Sequence, residues 1–201
     1  MSNTNRIGPK AQRAAETRAA LLGEARKLFA AQGFAATGTE AVLAHTTLTR
    51  GALYHHFADK QALFAAVCET LHAEGAQTIE SAAAAAPNAY EAVIQGSLAF
   101  LDFMVRPDVR RILLIDAPSV LGWAQWNEMD RRHGYGLLIE GVEEAVAAGE
   151  LRGEPDILAV MINGALNQAA VWVGQANEPR ALARVKAGFI AWMAALRVRR
   201  S

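Results

Sequence analysis

The chain has 201 residues, 52% apolar and 20% charged, and its twenty basic and twenty acidic side chains give a formal net charge of zero. That composition excludes a disordered chain and allows one medium domain, or a small domain joined to a larger one, each with a core of its own. The zero total hides an asymmetry: residues 1–64 hold eight basic residues and only four acids, so a basic first third precedes an acidic remainder, as expected of a chain that points one end at a polyanion.

Residues 1–13 are polar and aperiodic, and their composition predicts a flexible basic arm. Leu21, Ala25, Leu28, Phe29 and Gln32 then follow helical spacing, which predicts a first helix over 13–32 with Gly33 at its C-terminal stop. Thr37-Gly38-Thr39-Glu40 has the capping-box spacing, with Thr37 accepting from the third backbone amide and Glu40 reaching back, so a second helix is expected from there to His45. After Thr46-Thr47-Leu48, Thr49 is the expected N-cap of a third helix through Phe57. Asp59 is the expected cap of a fourth, with Leu63, Phe64, Val67 and Leu71 as its apolar face. Two helices of about two turns joined by a short turn and supported by longer neighbours make a helix-turn-helix.

A break falls at 82–88, where an alanine run ends in Pro87-Asn88. Helices are expected over 90–105, 107–117, 122–148, 156–176 and 179–199, with breaks at Pro107, Pro118, 149–155 and 177–179. No segment alternates as a strand would, so the fold class is all-α. The apolar stretch 157–174 approaches membrane-spanning length but carries Asn163, Asn167 and Gln168 in its middle, which predicts a core or interface helix and no membrane partner. Cys68 is the single cysteine, so no disulfide forms within the chain. The opening residues lack the apolar core of a secretory signal, and a reducing, cytoplasmic setting is the expectation.

Residues 49–60 have a chemical logic of their own. Gly51 costs about 1 kcal/mol of helix propensity in a short helix, and its missing side chain lets the helix N-terminus approach a flat surface such as the floor of the major groove. Arg50 beside it can make a bidentate contact to guanine or bind phosphate. Tyr54 and His56 offer hydroxyl and imidazole donors, and Lys60 adds charge at the next helix N-terminus. Leu53 and Phe57, four apart, are expected to be core anchors against Leu28, Phe29 and Leu43.

The run Gly33-Phe34-Ala35-Ala36-Thr37-Gly38-Thr39-Glu40, with Thr49-Arg50-Gly51-Ala52-Leu53-Tyr54-His55-His56-Phe57-Ala58-Asp59-Lys60-Gln61-Ala62-Leu63-Phe64, resembles the TetR family of repressors. The resemblance covers about a quarter of the chain. It implies an all-helical protein with a three-helix DNA-binding head, a variable helical ligand-binding body, and dimerisation through the last two long helices. The segment from Arg110 to Trp123 also resembles bodies in one branch of the family. Two departures stand out: the turn reads His45-Thr46-Thr47 where the family usually has a small residue or glycine, which implies another turn geometry or a shift by one residue, and Gly38 replaces the usual second hydroxyl residue.

The expected organisation is an arm over 1–13, a helix-turn-helix domain over 14–64 and a ligand-binding and dimerisation domain over 65–201. The candidate DNA-binding residues are Thr37, Thr39, Glu40, Thr49, Arg50, Gly51, Ala52, Tyr54, His55, His56 and Lys60. In the body, Phe100, Phe103, Met104, Leu114, Trp123, Trp126, Met129 and His133 mix aromatics, flexible methionine and a polar group, as pockets for small apolar molecules do. Met161, Ala165, Ala169 and Trp172, with Phe189, Trp192, Met193 and Leu196, form apolar stripes that predict a homodimer. The expected function is a sequence-specific transcriptional regulator, a repressor released from double-stranded operator DNA by a small-molecule effector, with no cofactor, no metal and no catalytic role.

Cys68, Glu69 and His72 lie within one turn, but Cys68 continues the apolar face of Phe64 and Val67, and a buried thiol explains it better than a metal. A helical dimeric ligand-binding or scaffold protein without a DNA role would keep the dimer helices but would have no need of Gly51 beside Arg50 and Tyr54.

Overall fold

The computed structural model describes residues 8–176 and 178–198, and these form eleven α-helices. The head comprises α1 (Pro9–Ala36), α2 (Thr39–Ala44), α3 (Arg50–His56) and the start of α4 (Lys60–Ala84). The body adds α5 (Ala89–Met104), α6 (Pro107–Arg110), a π-helical turn (Arg111–Asp116), α7 (Ala117–Leu121), α8 (Trp123–Arg132), α9 (Gly134–Ala147), α10 (Pro155–Gln175) and α11 (Ala181–Leu196).

Helix α1 starts at Pro9, so residues 9–13 of the expected arm are helical, with proline at the helix start where its missing N–H costs nothing. Residues 1–7 lie outside the described residues. Regular helix ends at Gln32, because Gly33 has φ +82° and ψ 170°, a conformation that disfavours any residue with a Cβ. Leu21, Leu22, Ala25 and Phe29 turn inward, and the rings of Phe29, Phe34 and Phe64 meet with centroids 5.0–5.9 Å apart. Leu53 and Phe57 are buried in the same core.

The capping box does not form. Gly38 is the N-cap of α2, and the Thr37 hydroxyl instead donates to the Gly33 carbonyl at 2.7 Å, satisfying a carbonyl that the break in α1 leaves free. The turn between α2 and α3 needs no left-handed residue. Thr46 N donates to Leu43 O at 2.9 Å, and Leu48 N donates to the Thr46 hydroxyl at 3.2 Å, so a β-branched residue is accommodated without strain. Thr49 caps α3 by accepting from Ala52 N at 3.2 Å, and Asp59 caps α4 by accepting from Ala62 N at 2.7 Å.

Two expected boundaries in the body move. Pro118 does not break the chain; the π-helical turn before it widens the helix where a proline ring would clash with the preceding turn, and helix continues to Leu121. The expected helix 122–148 is two, because His133 takes φ −126° and ψ −110° between α8 and α9. After α11, Arg152 N donates to Leu196 O and Val198 N to Glu150 O, tying the end of the last helix to the α9–α10 connection. Helix α4, at 25 residues, spans about 37 Å and carries one continuous core from head into body.

Candidate DNA-binding surface and body cavity

The N-terminus of α3 presents a bare backbone. A Cβ built on Gly51 would meet only the Thr49 hydroxyl, at 3.8 Å, so no internal crowding demands glycine there and the freed space faces outward. Arg50 lies over the Tyr54 ring, 5.6 Å from its centroid, and pairs with Glu40 of α2 at 3.4 Å. Thr49, Arg50, Gly51, Tyr54 and His55 are exposed, and Thr39, Ala52 and His56 are half-buried on the same part of the head. Thr37 is a correction: at 1% exposure, with its hydroxyl spent on Gly33, it has no surface to offer a phosphate. Lys60 is half-buried, donates to the Phe34 carbonyl at 3.0 Å and sits 4.1 Å from the centroid of the Phe34 ring. Its ammonium is thus held where the end of α1 meets the start of α4.

Polar side chains join the head to the body. Phe34 N donates to Asp116 Oδ2 at 2.8 Å, and the Arg111 guanidinium lies against Gly33, where a Cβ would collide with it. Arg26 bridges Glu74 at 2.7 Å and Asp108 at 2.8 Å, and Arg106 closes the group onto the same two carboxylates. Burial raises both carboxyl groups, but the hydrogen bonds and charges of the two arginines outweigh it and hold Glu74 and Asp108 below the usual carboxylate range.

A cavity of about 340 Å³ opens between α4, α5, α9 and α10. Of the eight expected pocket residues only Phe100 lines it. Phe103 and Met104 pack around a separate void of about 20 Å³ beside His72. Trp126 is a buried anchor whose indole N–H donates to Leu113 O at 2.8 Å, and Met129 is buried. Trp123 is 68% exposed against Trp126, while Leu114 is half-buried at the core edge. His133 contacts Glu69 at 2.7 Å and stacks on His72 with ring centroids 5.9 Å apart. These are corrections: Phe103 and Met104 on α5, Leu114 in the π-helical turn, Trp123, Trp126 and Met129 on α8 and His133 at the α8–α9 junction pack among themselves and against the core, and none of them lines the larger cavity.

Spacing along the chain missed Ser97, Asn163, Glu80, Glu140 and Glu144 as cavity residues. The available signal was the small residues Ala83, Ala92, Gly96 and Gly141 on three facing helices, which leave the space unfilled. Burial followed by the nearby His133 pushes the His72 imidazole down to about 4, and its Nε2 has no hydrogen-bond partner among the described residues. Burial pushes the Asp130 carboxyl up, against a hydrogen bond from Asn163 Nδ2 at 3.2 Å. Cys68 is fully buried and burial raises its thiol, while neighbouring Glu69 is engaged by Arg132 and His133.

On α10, Met161 and Trp172 are exposed, with Ala165 exposed and Ala169 half-buried between them. On α11, Trp192 and Leu196 are half-buried, but Phe189 and Met193 face the protomer's own core, which removes both from any outer stripe. On these two helices, the exposed large apolar residues that spacing did not single out are Ile157, Val160 and Ile190.

Residues 90–196 match the family model described as "Tetracyclin repressor-like, C-terminal domain", and residues 21–67 match "Bacterial regulatory proteins, tetR family". The chain belongs to the TetR family. A TetR-family transcriptional regulator from Pectobacterium atrosepticum superposes with a TM-score of 0.79 at 33% identity, over 94% of this chain and 98% of that one. The transposon Tn10 TetC protein of Escherichia coli is 23% identical over 174 residues, 85% of each chain. The fatty acid degradation regulator FadR from Bacillus halodurans shares the fold, with a TM-score of 0.77 at 16% identity over 97% of this chain and all of that one. The TetR helix-turn-helix match runs from the middle of α1 into α4 and takes in the whole of α2 and of α3, the helix that carries the exposed Arg50, Gly51 and Tyr54. The TetR body match starts inside α5 and ends with α11, and three of the four helices around the cavity lie within it.

Proposed function

We propose that this TetR-family regulator is a homodimeric repressor that leaves its operator when a small molecule fills the body cavity. The observation that carries the reading is the bare N-terminus of α3, where Gly51 leaves outward space beside exposed Arg50 and Tyr54. In this reading residues 14–64 are the DNA-binding head and 65–201 the sensing and dimerisation body. Arg50 reads a base edge, Thr39, Thr49, Tyr54, His55 and His56 contact the phosphate backbone, and Ala52 packs against the groove. Lys60 adds its charge at the start of α4, and Glu40 restrains Arg50 until DNA replaces it.

A second copy covers the α10 and α11 face, because Ile157, Val160, Met161, Trp172 and Ile190 leave an apolar surface too large for a lone soluble chain. Ala165 and Ala169 allow close helix approach there, and Trp192 and Leu196 border it. The two heads must then meet successive major grooves about 34 Å apart, and a ligand that favours another spacing lowers operator affinity by its differential affinity for the two arrangements. The test is fluorescence anisotropy on a duplex from upstream of the protein's own gene and on a scrambled duplex, across a salt series. Tight, steeply salt-dependent binding to the first duplex is expected; equal, weak binding to both would sink the reading.

A further inference from the structure

The cavity between α4, α5, α9 and α10 has apolar walls that include Val93, Phe100, Leu138 and Leu166, and its volume of about 340 Å³ suits a drug-sized molecule. Its polar groups are one-sided. Glu80, Glu140 and Glu144 border it, no Lys, Arg or His does, and none of the three carboxylates is in an ion pair among the described residues. In the wall, Ser97 is only 4% exposed and its hydroxyl has no hydrogen-bond partner among the described residues. The wall's side-chain amide, Asn163, is already occupied, donating to Asp130 and accepting from Asn167 Nδ2 at 3.3 Å.

We propose that the ligand of this cavity is an amphipathic organic cation: an apolar body carrying an ammonium or amidinium group, with a polar atom that meets Ser97. This rests on the reading of the cavity as the effector site. The apolar body displaces water from the walls, the cation lies among three carboxylates that have no ion-pair partner among the described residues, and the ligand's polar atom gives the Ser97 hydroxyl a partner. A ligand with its own carboxylate would add a fourth negative charge to a site without a cation, which electrostatic complementarity disfavours.

The test compares three probes that share a ten-carbon chain and differ in charge, decyltrimethylammonium, decanol and decanoate, the two ions below their micellar concentrations and decanol below its solubility limit, by isothermal titration calorimetry on the dimer. Decyltrimethylammonium is expected to bind roughly tenfold tighter than decanol, with decanoate weakest. The E80Q/E140Q/E144Q variant, altered only at exposed positions, should bring the cation to the affinity of decanol while leaving decanol unchanged. Ala83→Trp, which fills the cavity, should weaken all three. Decanol or decanoate binding as tightly as the cation, no binding of the cation up to its solubility, or a cation preference that survives the triple substitution would each overturn the proposal. Operator anisotropy with the same cation separates the two readings: a cation that binds as expected but leaves operator affinity unchanged keeps the ligand class and removes the effector role.

Discussion

Asp116 and Phe34, 82 residues apart, are joined by a 2.8 Å hydrogen bond in which the Phe34 amide donates to the carboxylate at the end of the π-helical turn. The bond meets the chain just after the break at Gly33, so one side chain of the body holds the end of the head's longest helix. Asp116→Ala is expected to lower stability by about 1.5–3 kcal/mol, since it leaves a part-buried amide without its charged partner. Asp116→Asn, which keeps an acceptor, should cost less. Urea unfolding checks both, and an alanine variant as stable as the parent would show that the bond contributes nothing. If this contact also transmits the ligand signal, the alanine variant will bind operator but respond less to ligand.

Gly33→Ala should destabilise by more than about 1 kcal/mol, because φ +82° strains any side chain and the added Cβ meets the Arg111 guanidinium. The double variant with Arg111→Ala relieves the collision but not the backbone strain. A double variant restored to parental stability would show that strain at Gly33 is negligible.

On the DNA surface, Arg50→Ala should cost about 1–3 kcal/mol on operator and little on scrambled DNA. Lys60→Ala should weaken both and reduce the salt slope by about one. Tyr54→Phe should weaken both duplexes without changing the slope, and Gly51→Val should block the close approach while leaving the dimer folded. Anisotropy on the two duplexes reads all four. Parental binding by all four folded variants would remove α3 from the interface.

The two sides of the last helices should fail differently. Met161, 55% exposed, becomes monomerising as Met161→Glu, seen by light scattering as a species of protomer mass at micromolar concentration. Met193, 0% exposed, instead loses about 2–5 kcal/mol of stability as Met193→Ala through the cavity it leaves. A Met161→Glu protein that stays dimeric would move the interface elsewhere.

Acid should destabilise the fold through His72. Its imidazole is held down to about 4 by burial and by His133, so between that value and 6.5 the unfolded chain binds a proton that the folded chain refuses. Stability therefore falls as pH drops from about 6.5 towards 4, and the lowered carboxyls of Glu69, Glu74 and Asp108 lose their contribution further down, as pH falls through their folded values. Melting temperature against pH for the parent and His72→Phe checks the first part, and identical slopes between 6.5 and 5 would exclude His72 as the cause.

What the sequence by itself determined was local. The caps Thr49 and Asp59 each act on an amide three residues on, and the stop at Gly33 needs only the conformational freedom of one residue, so neighbours in the chain suffice to read them. The burial of Leu53 and Phe57 follows from helical spacing in a helix with one apolar face. The tertiary structure alone decided whatever depends on how one helix is rotated against another. Thr37 is different, because its competing partner is local: the hydroxyl takes the Gly33 carbonyl four residues back instead of capping α2, a choice that the cap spacing did not reveal. Both sides of α11 are apolar, so only packing against the body decides that Met193 and Phe189 point inward while Ile190 remains outside. The cavity is the extreme case, because a void is made by side chains that are absent: Ala83, Gly96 and Gly141 are unremarkable on their own helices and leave space only where those helices face one another.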